Sequence, residues 1–113
     1  MRYKLYDLEV TTVGDKKTFN CSHKVGEGFI AIGENISFKS GTKQFSHYTL
    51  AALMPFIAAK QRTNQKTDFM YFESDIACSD PQCGAKFRFK RLRERIYDYQ
   101  PSHDLSYNKA KHE

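Results

Sequence analysis

A chain of 113 residues with 40% hydrophobic and 14% aromatic content suits one domain with a packed core and excludes a disordered tail. Its formal charge of +5 comes from one run, in which Lys86, Arg88, Lys90, Arg91, Arg93 and Arg95 stand against the single acid Glu94, so the basicity is local. No apolar run approaches the ~20 residues of a membrane span, and the charged, alternating opening Met1-Arg-Tyr-Lys-Leu-Tyr-Asp reads as a strand and not as a signal peptide; a cytoplasmic protein is the expectation.

Tyr6, Leu8, Val10 and Thr12 alternate with Asp7, Glu9 and Thr11, the period of a half-buried strand that ends at the turn Gly14-Asp15-Lys16-Lys17. The next segment, from Thr18 to Gly28, reads as a loop in which Gly26 and Gly28 supply unusual backbone angles. Phe29-Ile-Ala-Ile is a short strand stopped by Gly33, and Ile36-Ser-Phe-Lys adds another before Ser40-Gly41.

Tyr48 to Lys60 is the principal helix, with Ser46 as its cap and Leu50, Leu53, Met54 and Ile57 predicted to line its buried face. Pro55 inside it predicts a kink or a restart, because proline removes a donor and crowds the carbonyl four residues earlier. Polar residues Gln61 to Asp68 form a surface connection. Phe69-Met-Tyr-Phe and Asp75-Ile-Ala-Cys lead into the turn Ser79-Asp-Pro-Gln. Lys86 to Arg91 is a further strand with Phe87 and Phe89 inward, antiparallel to the segment before it; Leu92 falls out of phase, so the alternation ends or bulges near Arg91. The 101–113 segment is a polar tail without periodicity, expected to be mobile or docked on a neighbour.

Three cysteines make no disulfide framework. They fall with one histidine into two turn clusters, Cys21-Ser-His23 and Cys78-Ser-Asp-Pro-Gln-Cys83-Gly84, and together offer a Cys₃His set suited to zinc or iron. The same residues also read as a reactive-thiol site, with Cys78 as nucleophile, His23 or His47 as base and Asp80 positioning them. Plain packing is the alternative for each cysteine, and a turn-forming role for Asp80. Asp75, Glu73 and Glu34 are further carboxylates without an evident pairing. The Lys86–Arg95 face, with Tyr97 and Tyr99 as stacking groups, suggests nucleic acid or an acidic protein partner. Against this, Phe87 and Phe89 alternate in phase with a core, and Gly26-Glu-Gly28 is no phosphate loop.

The first strand, the stretch His23-Lys-Val-Gly-Glu-Gly-Phe29 after a cysteine, the central Ala/Leu/Pro helix and Asp75-Ile-Ala-Cys78-Ser-Asp80-Pro81 before Lys86-Phe-Arg-Phe together resemble a family of small bacterial proteins without assigned activity. The resemblance covers most of residues 3–92. It implies a shared cysteine at Cys21 and at Cys78, with Cys83 an addition in this chain, and it supports the fold more than any function.

The expected architecture is a single α+β domain over residues 1–100, a small sheet of four to five short, mainly antiparallel strands packed against one main helix. The expected function is binding of a small molecule, with or without catalysis, at a cysteine/histidine site between turns 21–23 and 78–83 and the helix N-terminus. A basic binding module and an accessory structural subunit are the alternatives. Exposed strand edges suggest a homo-oligomer, and no membrane partner is expected.

Overall fold

The computed structural model describes residues 1–72 and 74–100. The expectations for Glu73 and for the 101–113 tail lie outside them. Five strands and one main helix follow in the order β1 (Arg2–Val13), β2 (Gly28–Ile32), β3 (Asn35–Phe38), α1 (His47–Lys60), β4 (Asp75–Ala77) and β5 (Lys86–Asp98). All strand pairs are antiparallel and the sheet order is β3-β2-β1-β5-β4, which is the α+β architecture expected. Period-two alternation fixes which side chains meet the helix. Leu8, Val10 and Thr12 of β1, Phe29 and Ala31 of β2, and Phe87 and Phe89 of β5 are all at most 1% exposed.

The first and last strands are neighbours at the centre, paired as Val10 with Phe89 and Thr12 with Phe87. β1 is the middle strand and joins the two halves of the sheet, with β2 paired along one of its sides and β5 along the other. The expected bulge is present. Between the pairs Tyr6–Glu94 and Leu8–Arg91, two residues of β5, Leu92 and Arg93, oppose the one residue Asp7. Asp7 is 4% exposed, and its charge is met by Arg95 Nε at 2.8 and 3.0 Å from its two oxygens. A carboxylate this enclosed needs such a partner, since a buried charge without one is costly.

Ser46 caps α1 as expected, its hydroxyl accepting from the Thr49 N–H at 3.3 Å. The buried face, however, differs from the one predicted. Thr49, Leu53, Ile57 and Lys60 are enclosed, Leu50 is half-buried and Met54 is 46% exposed. Polar contacts choose this stripe: Thr49 bonds to His23, and Lys60 Nζ donates to the carbonyl of Phe72 at 2.6 Å. Apolar periodicity alone could not reveal that two polar residues belong inside. Full burial of Leu53 contributes about 1.5–3 kcal/mol. The helix runs through Pro55 without restarting. Pro55 stands on the exposed side, where water can satisfy the carbonyl its ring leaves unpaired.

Arg91 fastens the end of the helix to the sheet. Its guanidinium donates to the carbonyls of Lys60 and Tyr71 at 2.8 Å and of Met70 at 2.9 Å, and to the Asn64 side chain. A cation at the carbonyl end of a helix also meets the favourable end of its dipole. Phe69–Tyr71, part of the aromatic segment before β4, is a 3-10 turn held in this way. No described helix is long and apolar enough to cross a membrane.

Candidate metal centre

The three sulfurs come together although Cys21 and Cys83 are 62 residues apart. Local chemistry sets up each half. On one side Asp15 caps a 3-10 turn over Lys16–Thr18 by accepting from the Lys17 N–H at 3.1 Å, which turns the chain from β1 towards Cys21. On the other, β4 and β5 are closed by the Cys78 N–H donating to the Ala85 carbonyl at 3.0 Å. Within that loop the Asp80 carboxylate accepts from Gln82 N–H and its carbonyl from Cys83 N–H, each at 2.9 Å. Asp80 is exposed, and its place is that of the turn former.

Hydrogen bonds then join the two loops. Gly84 N–H donates to the Thr18 carbonyl at 2.9 Å, Asn20 Nδ2 to the Gln82 carbonyl at 3.2 Å, and Asn20 N–H to Cys83 Sγ at 3.3 Å. The approach is possible because residue 84 is glycine. A Cβ there would stand 1.9 Å from Thr18 Oγ1 and 2.6 Å from Thr18 Cβ.

The result is a trio of thiols, Cys21, Cys78 and Cys83, with all three sulfurs within 4.8 Å of one another. Cys78 is the most enclosed at 9% exposure, while Cys21 and Cys83 are half-buried. Four sulfurs around a tetrahedral zinc lie about 3.8 Å apart, given bonds of about 2.3 Å, so this spacing suits one soft ion. The Cys21 and Cys83 sulfurs, at 3.3 Å, need only a small rotation apart.

Backbone dipoles are aimed at the same atoms. Burial pushes the Cys83 thiol up, but the N–H groups of Ala85 and Asn20, the Cys21 thiol and the Cys21 N–H outweigh it and bring the group down to about 7. Cys21 is raised by burial first, then by its hydrogen bond with Cys83 and by the neighbouring sulfurs, against the pull of the His23 N–H. More N–H donors reach Cys83 than Cys21, which is why the one thiol is lowered and the other raised. In both cases the sulfur accepts from the N–H two residues on, His23 after Cys21 and Ala85 after Cys83. The arrangement favours the thiolate at Cys83, the protonation state that metals bind.

His23 enters by its backbone and not by its ring. The side chain is 2% exposed, its Nε2 lies 3.0 Å from Thr49 Oγ1, and the ring packs against Phe45 and Phe87 with centroids at 4.5 and 5.1 Å. Burial holds its pKa below the usual histidine value, with Glu27 opposing and Lys16 assisting. Among the described residues the ligand atoms that gather are the three sulfurs, so His23 does not complete a Cys₃His set with them. Its ring lies between Phe45 and Thr49, beside the helix N-terminus. His47, the other candidate base, is exposed and its ring lies tilted against that of Tyr48, with centroids 4.2 Å apart. Of the remaining carboxylates, Asp75 is taken by Arg88 at 2.9 and 3.0 Å, which holds it below the usual carboxylate range, and Glu34 is exposed on the β2–β3 turn.

The basic run is partly spent inside the protein. Arg88 pairs with Asp75, Arg95 with Asp7, and Arg91 with carbonyls, while Lys86, Lys90 and Arg93 are exposed. Tyr97 stacks on Tyr3 with centroids 5.3 Å apart. Sequence reasoning missed Asn20, Thr18 and Thr49, which join the loops and seat His23, and it gave Gly84 no role of its own. The glycine directly after Cys83 was the one available signal.

Comparison with family models, with curated proteins and with solved structures gives no match to this chain.

Proposed function

We propose that this chain binds one thiophilic metal ion, zinc before iron, through Cys21, Cys78 and Cys83. The observation that carries the reading is the trio of sulfurs within 4.8 Å of one another. N–H groups pointing at Cys83 favour the charged form a metal needs, and Cys21 and Cys78 lie beside it. Zn²⁺ suits the set because it accepts thiolates in tetrahedral geometry, and three protein ligands leave a fourth position for water or a small ligand. That open position is what makes binding of a small molecule at the metal the preferred function. The segment that carries Cys21 also lines a cleft of 610 Å³ with Lys24, Glu27, Ser40 and Lys43 on its walls, space enough for a polar small molecule. The family resemblance adds no chemistry to this reading.

Elemental analysis of protein purified without chelator or affinity metal, paired with a free-thiol count, tests it. About one zinc per chain is expected, with the thiols shielded until a chelator is added. Cobalt substitution should give thiolate-to-metal charge-transfer absorption that is lost in Cys78→Ser. Reduced protein that retains no metal and gives no such absorption with added Co²⁺ refutes the proposal.

A further inference from the structure

The three thiols are not equivalent. Cys21 and Cys83 have their sulfurs 3.3 Å apart and are half-buried, whereas Cys78 is at 9% exposure. Both partners of the close pair sit in loops, and the hydrogen bonds between Thr18 and Gly84 and between Asn20 and Gln82 hold those loops together. We infer that Cys21 and Cys83 are a thiol–disulfide couple that closes on reaction with a small disulfide, and that this bond and the metal exclude one another. The exclusion rests on the metal site proposed above; the couple itself rests only on the geometry of the pair.

The chemistry balances without any further reagent. The thiolate of one cysteine attacks the small disulfide and expels half of it as a thiolate, leaving a mixed disulfide on the protein. The neighbouring cysteine gives its proton to solvent and attacks the protein-bound sulfur, expelling the second thiolate. The protein is oxidised by two electrons and the small disulfide is reduced to two thiols. The second step is favoured by proximity, since a thiol held 3.3 Å from its target reacts as an intramolecular partner. A disulfide bond of about 2.05 Å is reached by side-chain rotation within loops that are already joined. Once formed, it removes two of the three thiolates. Cys78 alone is a weak ligand, so the ion leaves. Conversely, a bound ion occupies the lone pairs that attack requires, so loaded protein should react more slowly than metal-free protein.

The test uses the full chain, reduced, in metal-free and zinc-loaded forms, with glutathione disulfide as the oxidant. Non-reducing peptide mapping reads the linkage and a chromophoric chelator reads zinc release. The expected product joins Cys21 to Cys83, leaves Cys78 as a free thiol, and appears in step with release of the zinc. Cys21→Ser and Cys83→Ser should each stop at a mixed disulfide on the remaining partner, while Cys78→Ser should still close the bond. Circular dichroism confirms that each variant is folded, and agreement between the two single variants guards against one that is not. Persistent mixed disulfides in the wild-type chain, or a dominant bond that includes Cys78, would overturn the couple. Disulfide formation with zinc still bound would overturn the exclusion. Closure of the bond in a chain that never retained zinc would sink the metal proposal and leave the couple standing.

Discussion

Gly84→Ala puts the joined loops to the sharpest test, because it adds one methyl group and touches no ligand. That carbon would lie 1.9 Å from Thr18 Oγ1 and 2.6 Å from Thr18 Cβ. Rotating the threonine hydroxyl away relieves only the first contact, and it gives up the bond from that hydroxyl to the Asp15 carbonyl at 2.7 Å. Ordinary van der Waals separation therefore requires the Gly84 backbone to withdraw from Thr18 by about 1 Å, at an overpacking cost of about 1–3 kcal/mol. The withdrawal also stretches the Gly84 N–H bond to the Thr18 carbonyl and carries Cys83 away from Cys21. Metal–ligand distances tolerate only about 0.2 Å, so a displacement of this size should reach the metal as well as the fold. Urea unfolding of the metal-free protein should show the loss of stability, and chelator competition should show zinc affinity falling at least about tenfold, the scale seen when supporting groups around a metal are lost. The double variant with Thr18→Gly removes both clashing atoms and should recover affinity towards wild type. Wild-type stability together with wild-type affinity in Gly84→Ala would refute the account of how Cys83 is brought to Cys21.

In metal-free protein, Cys83 should be alkylated fastest of the three cysteines, with a rate that rises with pH through about 7 and then levels as its thiolate becomes fully populated; a profile still climbing steeply at pH 9 would contradict the N–H donors assigned to it. His23 titrates lower in the folded chain than in the unfolded one, so its contribution to stability is complete above the unfolded value near 6.5 and is lost as pH falls below it. Denaturant midpoints measured from pH 8 to 5 should therefore decline below about 6.5, and His23→Phe should flatten that decline. Arg91→Ala removes the clamp on the carbonyls of Lys60, Met70 and Tyr71 and should cost about 2–3 kcal/mol, with Arg91→Lys recovering little because a single ammonium cannot reproduce the planar fork.

Much of this molecule was determined by sequence alone. Alternation at Tyr6–Thr12 and at Lys86–Arg91 marked the two central strands and the inward side of each, because a pleated strand has a side-chain period of two whatever its partner. Ser46 marked the helix start, and Leu92 out of phase marked the bulge opposite Asp7, since both are effects of near neighbours. The partnership of the cysteines was not legible in this way. Cys-x-His invited a local ligand pair, yet the histidine ring turned inward to Thr49, Phe45 and Phe87. Cys83, the residue outside the family resemblance, lies against Cys21. The helix face shifted for a related reason, as Thr49 and Lys60 found polar partners in His23 and Phe72 that no periodicity encodes. Only tertiary structure decides such matters. Whether Cys21 meets a histidine two residues away or a cysteine 62 residues away depends on which loops the sheet order places side by side.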